Sequence, residues 1–191
     1  DRLMQAPPMT ELRQRFVPEA RGDVLEVGIG SGLNLPFYGP DVRSVTGLDP
    51  SVALQRYARR RAREAGRVVE FLALSGESIP APAASFDTVL TTWTLCSIPN
   101  PYQALAEMRR VLRPGGRIVF VEHGRAPQPA VRRWQRRIQP LWKALAGGCH
   151  LDRDVPLLLE TAGFRIRAVE QGYVPGPRFA TFMVRGVAGR R

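Results

Sequence analysis

The chain has 191 residues, 44% of them hydrophobic, and a formal net charge of +11. This length and content can form one buried core, which predicts a single domain over residues 1–191. It contains no run of 18 apolar residues and no signal peptide, so we expect a soluble, cytoplasmic protein. The two cysteines, Cys96 and Cys149, have the spacing of neither a disulfide framework nor a metal site, so free thiols and no bound metal are expected.

The positive charge comes almost entirely from arginine, because Lys143 is the one lysine among 28 basic residues. Arginine clusters at 59–61 and 132–137 have the pattern of solvated helix faces, which is the favoured interpretation. Peripheral contact with an anionic membrane surface or an acidic substrate is the alternative. Nucleic-acid binding is the least favoured of the three.

The chain begins with a proline-containing segment, 1–21, in which Leu12, Phe16 and Val17 follow a helical pattern. We expect this segment to form a flap over the mouth of a cofactor site. An apolar strand that begins at Val24 and ends at Glu26 comes next, and it leads into a loop with glycine at every second position, namely Gly28, Gly30 and Gly32. Such a backbone can turn sharply and let a ligand approach it closely.

The glycine loop does not have the pattern of a dinucleotide site. The corresponding fingerprint requires a third glycine at position 33, where this chain has Leu33, and Pro36 interrupts the helix that would hold a pyrophosphate. Glu26, which ends the predicted strand, suits a ligand with an ammonium group. S-adenosylmethionine combines adenosine with an amino-acid tail and has no phosphate, so it is the favoured cofactor. A tight turn that binds nothing is the alternative.

The end of the second predicted strand, 44–48, carries another acid, Asp49. Asp49 lies about 20 residues beyond the glycines, at the spacing of an acid that accepts hydrogen bonds from ribose hydroxyls. It can also cap the helix predicted over 51–65, which has Pro50 at its start and Gly66 after its end. After a third strand, 68–72, Ser75 and Gly76 form a turn that could read adenine or be an ordinary turn.

The second half of the chain continues the alternation of strands and helices, which predicts a parallel sheet with right-handed crossovers. A strand over 86–92 precedes a helix that Asn100 caps, and a strand over 117–122 ends at His123. An insertion over 124–150 follows. Its apolar residues Trp134, Ile138, Leu141, Trp142 and Leu145 fall at helical spacing, and Pro140 is expected to split the segment into two helices. A helix over 152–162 and a strand from Phe164 complete the predicted core.

Four segments together resemble the class I S-adenosylmethionine-dependent methyltransferases, in the branch of the quinone-biosynthesis C-methyltransferases. They cover 25–32, 47–50, 86–89 and 110–117, and the last is the most specific. Within that branch, the segments 93–99, 121–123 and 147–151 resemble the animal alkyl thiol methyltransferases and their soluble bacterial relatives. The resemblance implies a Rossmann-like α/β fold, with a mostly parallel doubly wound sheet, a helical insertion and a final antiparallel strand over 178–185.

The resemblance also assigns residues to the cofactor, whose product would be S-adenosylhomocysteine. The family's positions fall on Glu26, Gly28, Gly30 and Gly32 for the methionine tail, on Asp49 and Pro50 for the ribose, on Ser75 and Gly76 for adenine, and on Thr92 and Trp93 near the sulfur. Many relatives have Asp where this chain has Ser75, which implies a weaker contact with the adenine amino group.

The acceptor of the methyl group is expected to be a small lipophilic molecule, because the insertion over 124–150 is apolar and aromatic. Trp134, Trp142, Cys96 and Cys149 are the candidate pocket residues, and packing of the insertion on the sheet is the alternative. His123 and His150 are the candidate bases, each with a purely structural role as its alternative.

Three candidate functions are compatible with this sequence. Methylation of a thiol or hydrosulfide is preferred, because the sequence shows no paired carboxylates or metal cluster suited to activating an alcohol. The second is quinone or phospholipid methylation at a membrane surface, and the third is an RNA-directed or non-catalytic cofactor-binding module.

Overall fold

A computed structural model describes residues 3–190, so positions 1, 2 and 191 of the predicted domain lie outside the described part. Its centre is a seven-stranded sheet in the order β3-β2-β1-β4-β5-β7-β6. All neighbouring strands pair in parallel except β7, which runs antiparallel to both β5 and β6. The strands are β1 Gly22–Val27, β2 Val42–Leu48, β3 Val69–Leu72, β4 Phe86–Thr92, β5 Leu112–His123, β6 Phe164–Tyr173 and β7 Phe182–Arg190.

Five α-helices accompany the sheet within residues 3–190, and apolar residues of α1, α2, α3 and α5 pack into its core. They are α1 Pro7–Phe16, α2 Val52–Glu64, α3 Pro101–Val111, α4 Pro129–Leu145 and α5 Val155–Thr161. One large apolar cluster joins β1, β4 and β5 to α3 and α5. A second cluster joins other residues of those strands to α1 and the loop after β1. Most residues of β1 and β4, and of β5 from Ile118 onward, are buried, as expected of central strands that are covered on both faces.

The predicted fold class is confirmed. Met108 is fully buried in α3, and the side chain of Asn100 accepts a hydrogen bond from the Gln103 N–H at 3.2 Å, as its capping position predicts. Gly66 follows α2 with a φ of +62°, in agreement with its predicted role as a helix stop. Strand β1 continues one residue beyond Glu26, to Val27.

Several predicted boundaries were wrong: β5 begins at Leu112 rather than at 117, α5 begins at Val155 rather than at 152, and the final strand ends at Arg190 rather than at 185. The final strand begins at Phe182 rather than at position 178, because the Val174 N–H donates to the Thr181 carbonyl and closes a longer turn between β6 and β7. The insertion is also not split at Pro140, since α4 runs without interruption through it. Pro140 is exposed, and the loss of its own N–H bond does not end the helix.

No helix in the described part of the chain is both long and apolar enough to cross a membrane.

Candidate active site

The glycine loop after β1 adopts backbone conformations that favour glycine. Gly28, Gly30 and Gly32 have φ values of +78°, +52° and +80°. A Cβ at Gly28 would lie 2.0 Å from Thr94 Oγ1, and one at Gly32 would lie 2.9 Å from the Ala58 Cα, so these two glycines allow close packing. A Cβ at Gly30 would meet no atom of the described chain closer than 3.9 Å. Of the three, Gly30 is therefore the glycine at which a Cβ would meet no steric clash within the chain.

Gly30 lines a cleft of about 570 Å³ at the carboxyl ends of β1, β2 and β4. Open α/β sheets bind ligands at this edge, and the volume falls in the range of small-molecule sites. The cleft lining includes all but one of the predicted cofactor residues, namely Glu26, Gly28, Gly30, Asp49, Pro50, Ser75, Gly76, Thr92 and Trp93. Gly32 lies outside the lining because it packs against α2.

Glu26 is nearly inaccessible, and both of its carboxylate oxygens have hydrogen-bond partners. Oε1 accepts from Asn34 Nδ2 at 2.9 Å, and Oε2 accepts from the Tyr38 hydroxyl at 2.6 Å. Burial raises the pKa of Glu26 to about 7, although the bonds from Tyr38 and Asn34 oppose this change. The carboxyl group is thus fixed in place and changes its charge near neutral pH.

Arg13 of α1 places a cation in the same part of the cleft. Its Nε donates to Asn34 Oδ1 at 3.1 Å, and its guanidinium lies 4.6 Å from the centre of the Trp93 ring. Burial lowers the pKa of Arg13 to about 10, while Glu26 opposes this effect. Arg13 therefore stays charged at neutral pH. Asn34 is hydrogen-bonded to both Arg13 and Glu26, so this end of the cleft has a cationic and an acidic side chain bridged by one amide.

Asp49 connects the glycine loop to the start of α2. Its Oδ2 accepts from the Gly30 N–H at 2.9 Å, and its Oδ1 accepts from the Ser51 N–H at 2.7 Å. Asp49 follows β2 directly and lines the cleft. It therefore fixes the backbone of the loop and also presents its carboxylate to the cleft.

The predicted adenine turn also lies on the cleft, although its side chains have internal partners. The Ser75 hydroxyl donates to Glu77 Oε2 at 2.9 Å. A Cβ at Gly76 would approach Val27 Cγ1 to 2.7 Å, so glycine is required for packing against β1. The groups of this turn that are left to contact a ligand are therefore mainly its backbone N–H and C=O groups.

The loop after β4 is organised by Glu122, a fully buried acid near the end of β5. Its carboxylate accepts from the N–H groups of Thr94, Leu95 and Cys96 at 3.0–3.2 Å, and from the Thr91 hydroxyl at 2.8 Å. Burial raises the pKa of Glu122, and these bonds oppose that change. Glu122 thereby holds a loop whose residues line the cleft on one side and carry Cys96.

Cys96, His123 and Cys149 come together beside the cleft. The two Sγ atoms are 3.4 Å apart, and His123 Nδ1 lies 3.4 Å from Cys149 Sγ and 3.8 Å from Cys96 Sγ. The contact with Cys96 lowers the pKa of Cys149, and His123 lowers it further. The same contact and burial raise the pKa of Cys96. The three residues form no part of the cleft lining.

The remaining predicted acceptor residues are dispersed. Trp142 is half-buried and packs with Cys96 and Cys149, whereas Trp134 is 60% exposed on α4 and lies outside the cleft lining. His150 is half-buried, and its backbone N–H donates to the Cys96 carbonyl at 2.7 Å. Burial, Arg153 and Lys143 lower the pKa of His150. Neither histidine lines the cleft.

Sequence reasoning missed the supporting residues Arg13, Asn34 and Glu122. Glu122 had a detectable signal, since an acid within an apolar strand must find buried partners. Arg13 and Asn34 had none, because their importance depends on a contact between α1 and the loop after β1.

A family model described as a methyltransferase domain matches residues 25–120, which is just over half of the chain. The chain belongs to this methyltransferase domain family. The match includes the glycine loop, Asp49 and the loop that Glu122 holds, and it ends three residues before His123.

Similar proteins include methyltransferases with different acceptors. The chain is 37% identical over 145 residues to rat thiol S-methyltransferase TMT1B, a match that covers 74% of this chain and 59% of the relative. It is 35% identical over 155 residues to phosphatidylethanolamine N-methyltransferase of Cereibacter sphaeroides, covering 78% of this chain and 72% of the relative. The chain therefore spans about three fifths of the length of the thiol S-methyltransferase that it matches.

Among solved structures, geranyl diphosphate methyltransferase in complex with S-adenosylmethionine has a TM-score of 0.72 and 18% identity, covering 95% of this chain and 84% of that chain. At this identity the similarity shows a common fold.

Proposed function

We propose that this protein is an S-adenosylmethionine-dependent methyltransferase that methylates a small lipophilic thiol or hydrosulfide. One observation carries the proposal: a cleft with two fixed carboxylates and an open glycine turn lies next to a cluster of sulfur-containing side chains. The thiol S-methyltransferase relative supports the acceptor class.

The amino-acid end of the cofactor fits the part of the cleft near α1. Glu26 offers a carboxylate to an ammonium group, and Arg13 offers a guanidinium to a carboxylate. Gly30 lines the same cleft, where the lack of a Cβ lets a ligand approach the backbone. The zwitterionic amino-acid group of the cofactor would therefore meet opposite charges on Glu26 and Arg13, which Asn34 bridges.

The adenosine end fits the opposite part of the cleft. Asp49 and Pro50 would hold the ribose. The backbone at Ser75 and Gly76 would contact adenine, because the Ser75 hydroxyl already bonds Glu77 and Gly76 packs against Val27. Thr92 and Trp93 line the cleft at the end of β4, between the two ends. The fold neighbour that holds S-adenosylmethionine supports this choice of cofactor.

When bound, S-adenosylmethionine supplies an electrophilic methyl group. The chain's own contribution is to hold the acceptor in place and to exclude water, which is the main requirement of such a reaction. Trp93 serves both purposes because its ring is held under Arg13 at the cleft wall. Proton transfer by His123 or His150 stays a prediction, to be tested with the single alanine variants.

Product analysis by mass spectrometry tests the proposal directly. The purified protein is incubated with S-adenosylmethionine and, separately, an alkyl thiol, a phenol, an amine and a quinone. We expect methylation of the thiol, and a rate that rises with pH as the thiol, with a pKa near 8.5, ionises. Methylation of the quinone, phenol or amine without any methylation of the thiol would contradict the proposed acceptor.

A second candidate function, methylation of a lipid at a membrane surface, is favoured by the exposed face of α4. Trp134, Leu141 and Leu145 are 60%, 60% and 78% exposed and fall on one side of the helix. Arginines 132, 133, 136 and 137 lie on the same helix, which contains no acidic residue. We propose that this face contacts an anionic lipid surface, because apolar residues flanked by cations suit the headgroup region. The phospholipid methyltransferase relative supports the same acceptor class.

Vesicle co-sedimentation tests the second candidate. The protein is mixed with vesicles of phosphatidylcholine alone or with phosphatidylserine, and we expect binding to the anionic vesicles that Leu141→Gln reduces. Leu157→Gln is the matched control, because Leu157 is 55% exposed on α5. Equal sedimentation of the protein with both kinds of vesicle, or equal loss of binding in both variants, would count against the contact.

A further inference from the structure

The sulfur cluster joins three ligand-bearing residues from distant parts of the sequence. Cys96 lies in the loop after β4, His123 ends β5, and Cys149 follows α4. The potential ligand atoms of these residues all lie within 4.8 Å of one another. Thiolate and imidazole are the ligands that Zn²⁺ prefers in proteins, and Cys₂His is a ligand set of catalytic zinc sites with an open fourth position.

The separations agree with those of a tetrahedral zinc site. Zinc–sulfur and zinc–nitrogen bonds of about 2.3 and 2.0–2.1 Å place two sulfur ligands about 3.8 Å apart and sulfur about 3.6 Å from nitrogen. The corresponding distances here are 3.4 Å between the sulfurs and 3.4 and 3.8 Å from His123 Nδ1. One ion between the three atoms therefore requires shifts of only a few tenths of an ångström. A disulfide would require the sulfurs to approach to about 2.05 Å and would leave His123 without a role.

The backbone of both cysteines is held in position. The Cys96 N–H donates to Glu122 Oε2 at 3.1 Å, and the Cys149 carbonyl accepts from Gln139 Nε2 at 2.9 Å. His123 is fixed by the pairing of β5 with β7. Both thiols are buried in an apolar environment. Such prior positioning lowers the cost of assembling a metal site, because the ligands need little reorganisation on binding.

We propose that Cys96, His123 and Cys149 bind one thiophilic cation of the Zn²⁺ class, with a fourth position for a ligand from outside the chain. The cluster adjoins the cleft, since Cys96 Sγ lies 3.7 Å from the hydroxyl of Ser97, a cleft residue. The fourth ligand is the acceptor thiolate, a further step that rests on the proposed function. On coordination the thiol sulfur replaces a water ligand, and its proton passes to solvent as the sulfur–metal bond forms.

Cobalt substitution tests the metal site without measuring activity. The whole protein is reduced, freed of metal with a chelator and titrated with Co²⁺. We expect one equivalent to bind with sulfur-to-cobalt charge-transfer absorption and with the visible bands of tetrahedral cobalt, and Zn²⁺ to displace it. Cys96→Ser and Cys149→Ser should each weaken binding at least about a hundredfold, since each removes a direct ligand.

His150→Ala is the matched control, because this histidine neighbours Cys149 in sequence but lies outside the cluster. It should bind cobalt like the parent protein, and circular dichroism should verify that each variant is folded. Should the cysteine variants not fold, elemental analysis of the unaltered protein isolated with Zn²⁺ still decides the matter. A metal content far below one per chain, absence of charge-transfer absorption, or a disulfide that persists in place of metal binding after reduction would overturn the site.

The step that depends on the proposed function has its own measurement. Addition of an alkyl thiol to the cobalt protein should intensify the charge-transfer absorption, and a phenol should leave it unchanged. An unchanged spectrum with bound cobalt would overturn thiol coordination alone. Undiminished thiol methylation by the metal-free protein would overturn metal activation while the proposed function stands.

Discussion

Glu26→Gln is the most informative single substitution in the cleft, because Glu26 is a buried acid whose pKa is raised from 4.5 to about 7. Glutamine has the same shape and can keep hydrogen bonds to Asn34 and Tyr38, so the change removes the titration with little change in packing. Each tenfold change in proton affinity corresponds to about 1.4 kcal/mol. The raised pKa of Glu26 therefore makes the free energy of unfolding about 3 kcal/mol lower at alkaline pH than at acidic pH.

The sign follows from where the proton binds more tightly. Between pH 4.5 and about 7 the folded protein holds the Glu26 proton more tightly than the unfolded chain does, so the free energy of unfolding falls as the pH rises. The contribution is complete below 4.5 and is lost by the time the pH has risen through about 7. Glu26→Gln should lack this dependence.

Urea unfolding of both proteins across this pH range measures the difference. The unaltered protein should lose about 3 kcal/mol more than Glu26→Gln between the acidic and alkaline limits, while titrations of other groups cancel in the comparison. In calorimetry, the affinity of the unaltered protein for S-adenosylmethionine should rise about tenfold from about pH 6 to about pH 8, because the ionised carboxylate binds the ammonium group. Parallel unfolding profiles of the two proteins would refute the assigned pKa and burial cost.

Three further substitutions test the cleft and its support. Gly30→Ala should weaken S-adenosylmethionine binding in calorimetry at least about tenfold. Gly66→Ala is the control, because Gly66 has a similar positive φ and no neighbour within 4 Å; it should leave binding unchanged and cost only about 1 kcal/mol of stability. Equal binding by the two variants would contradict close approach of the ligand to Gly30. Asp49→Ala should also weaken binding at least about tenfold, and unchanged affinity in a folded variant would exclude the ribose contact. Glu122→Ala should lower the free energy of unfolding by at least about 3 kcal/mol in urea titration, because three backbone N–H groups and a hydroxyl lose their acceptor; a loss below about 1 kcal/mol would contradict this.

The sequence by itself determined the fold class and the carboxyl-end position of the cleft. Alternation of apolar strands with capped helices specifies a parallel sheet, and the acids and glycines that follow β1 and β2 must then meet at one edge. Asn100 and Gly66 behaved as predicted because a cap and a helix stop depend on near neighbours in the chain. Local interactions decide such features.

Only the tertiary structure decided which distant side chains meet. Cys96 and Cys149 are 53 positions apart, and their contact depends on where α4 ends relative to the loop after β4. The continuous course of α4 through Pro140, the link from Arg13 to Glu26, and the three N–H groups held by Glu122 likewise depend on packing between elements. Sequence periodicity records which face of an element is buried, but not which residue of another element lies opposite, because packing sets that register.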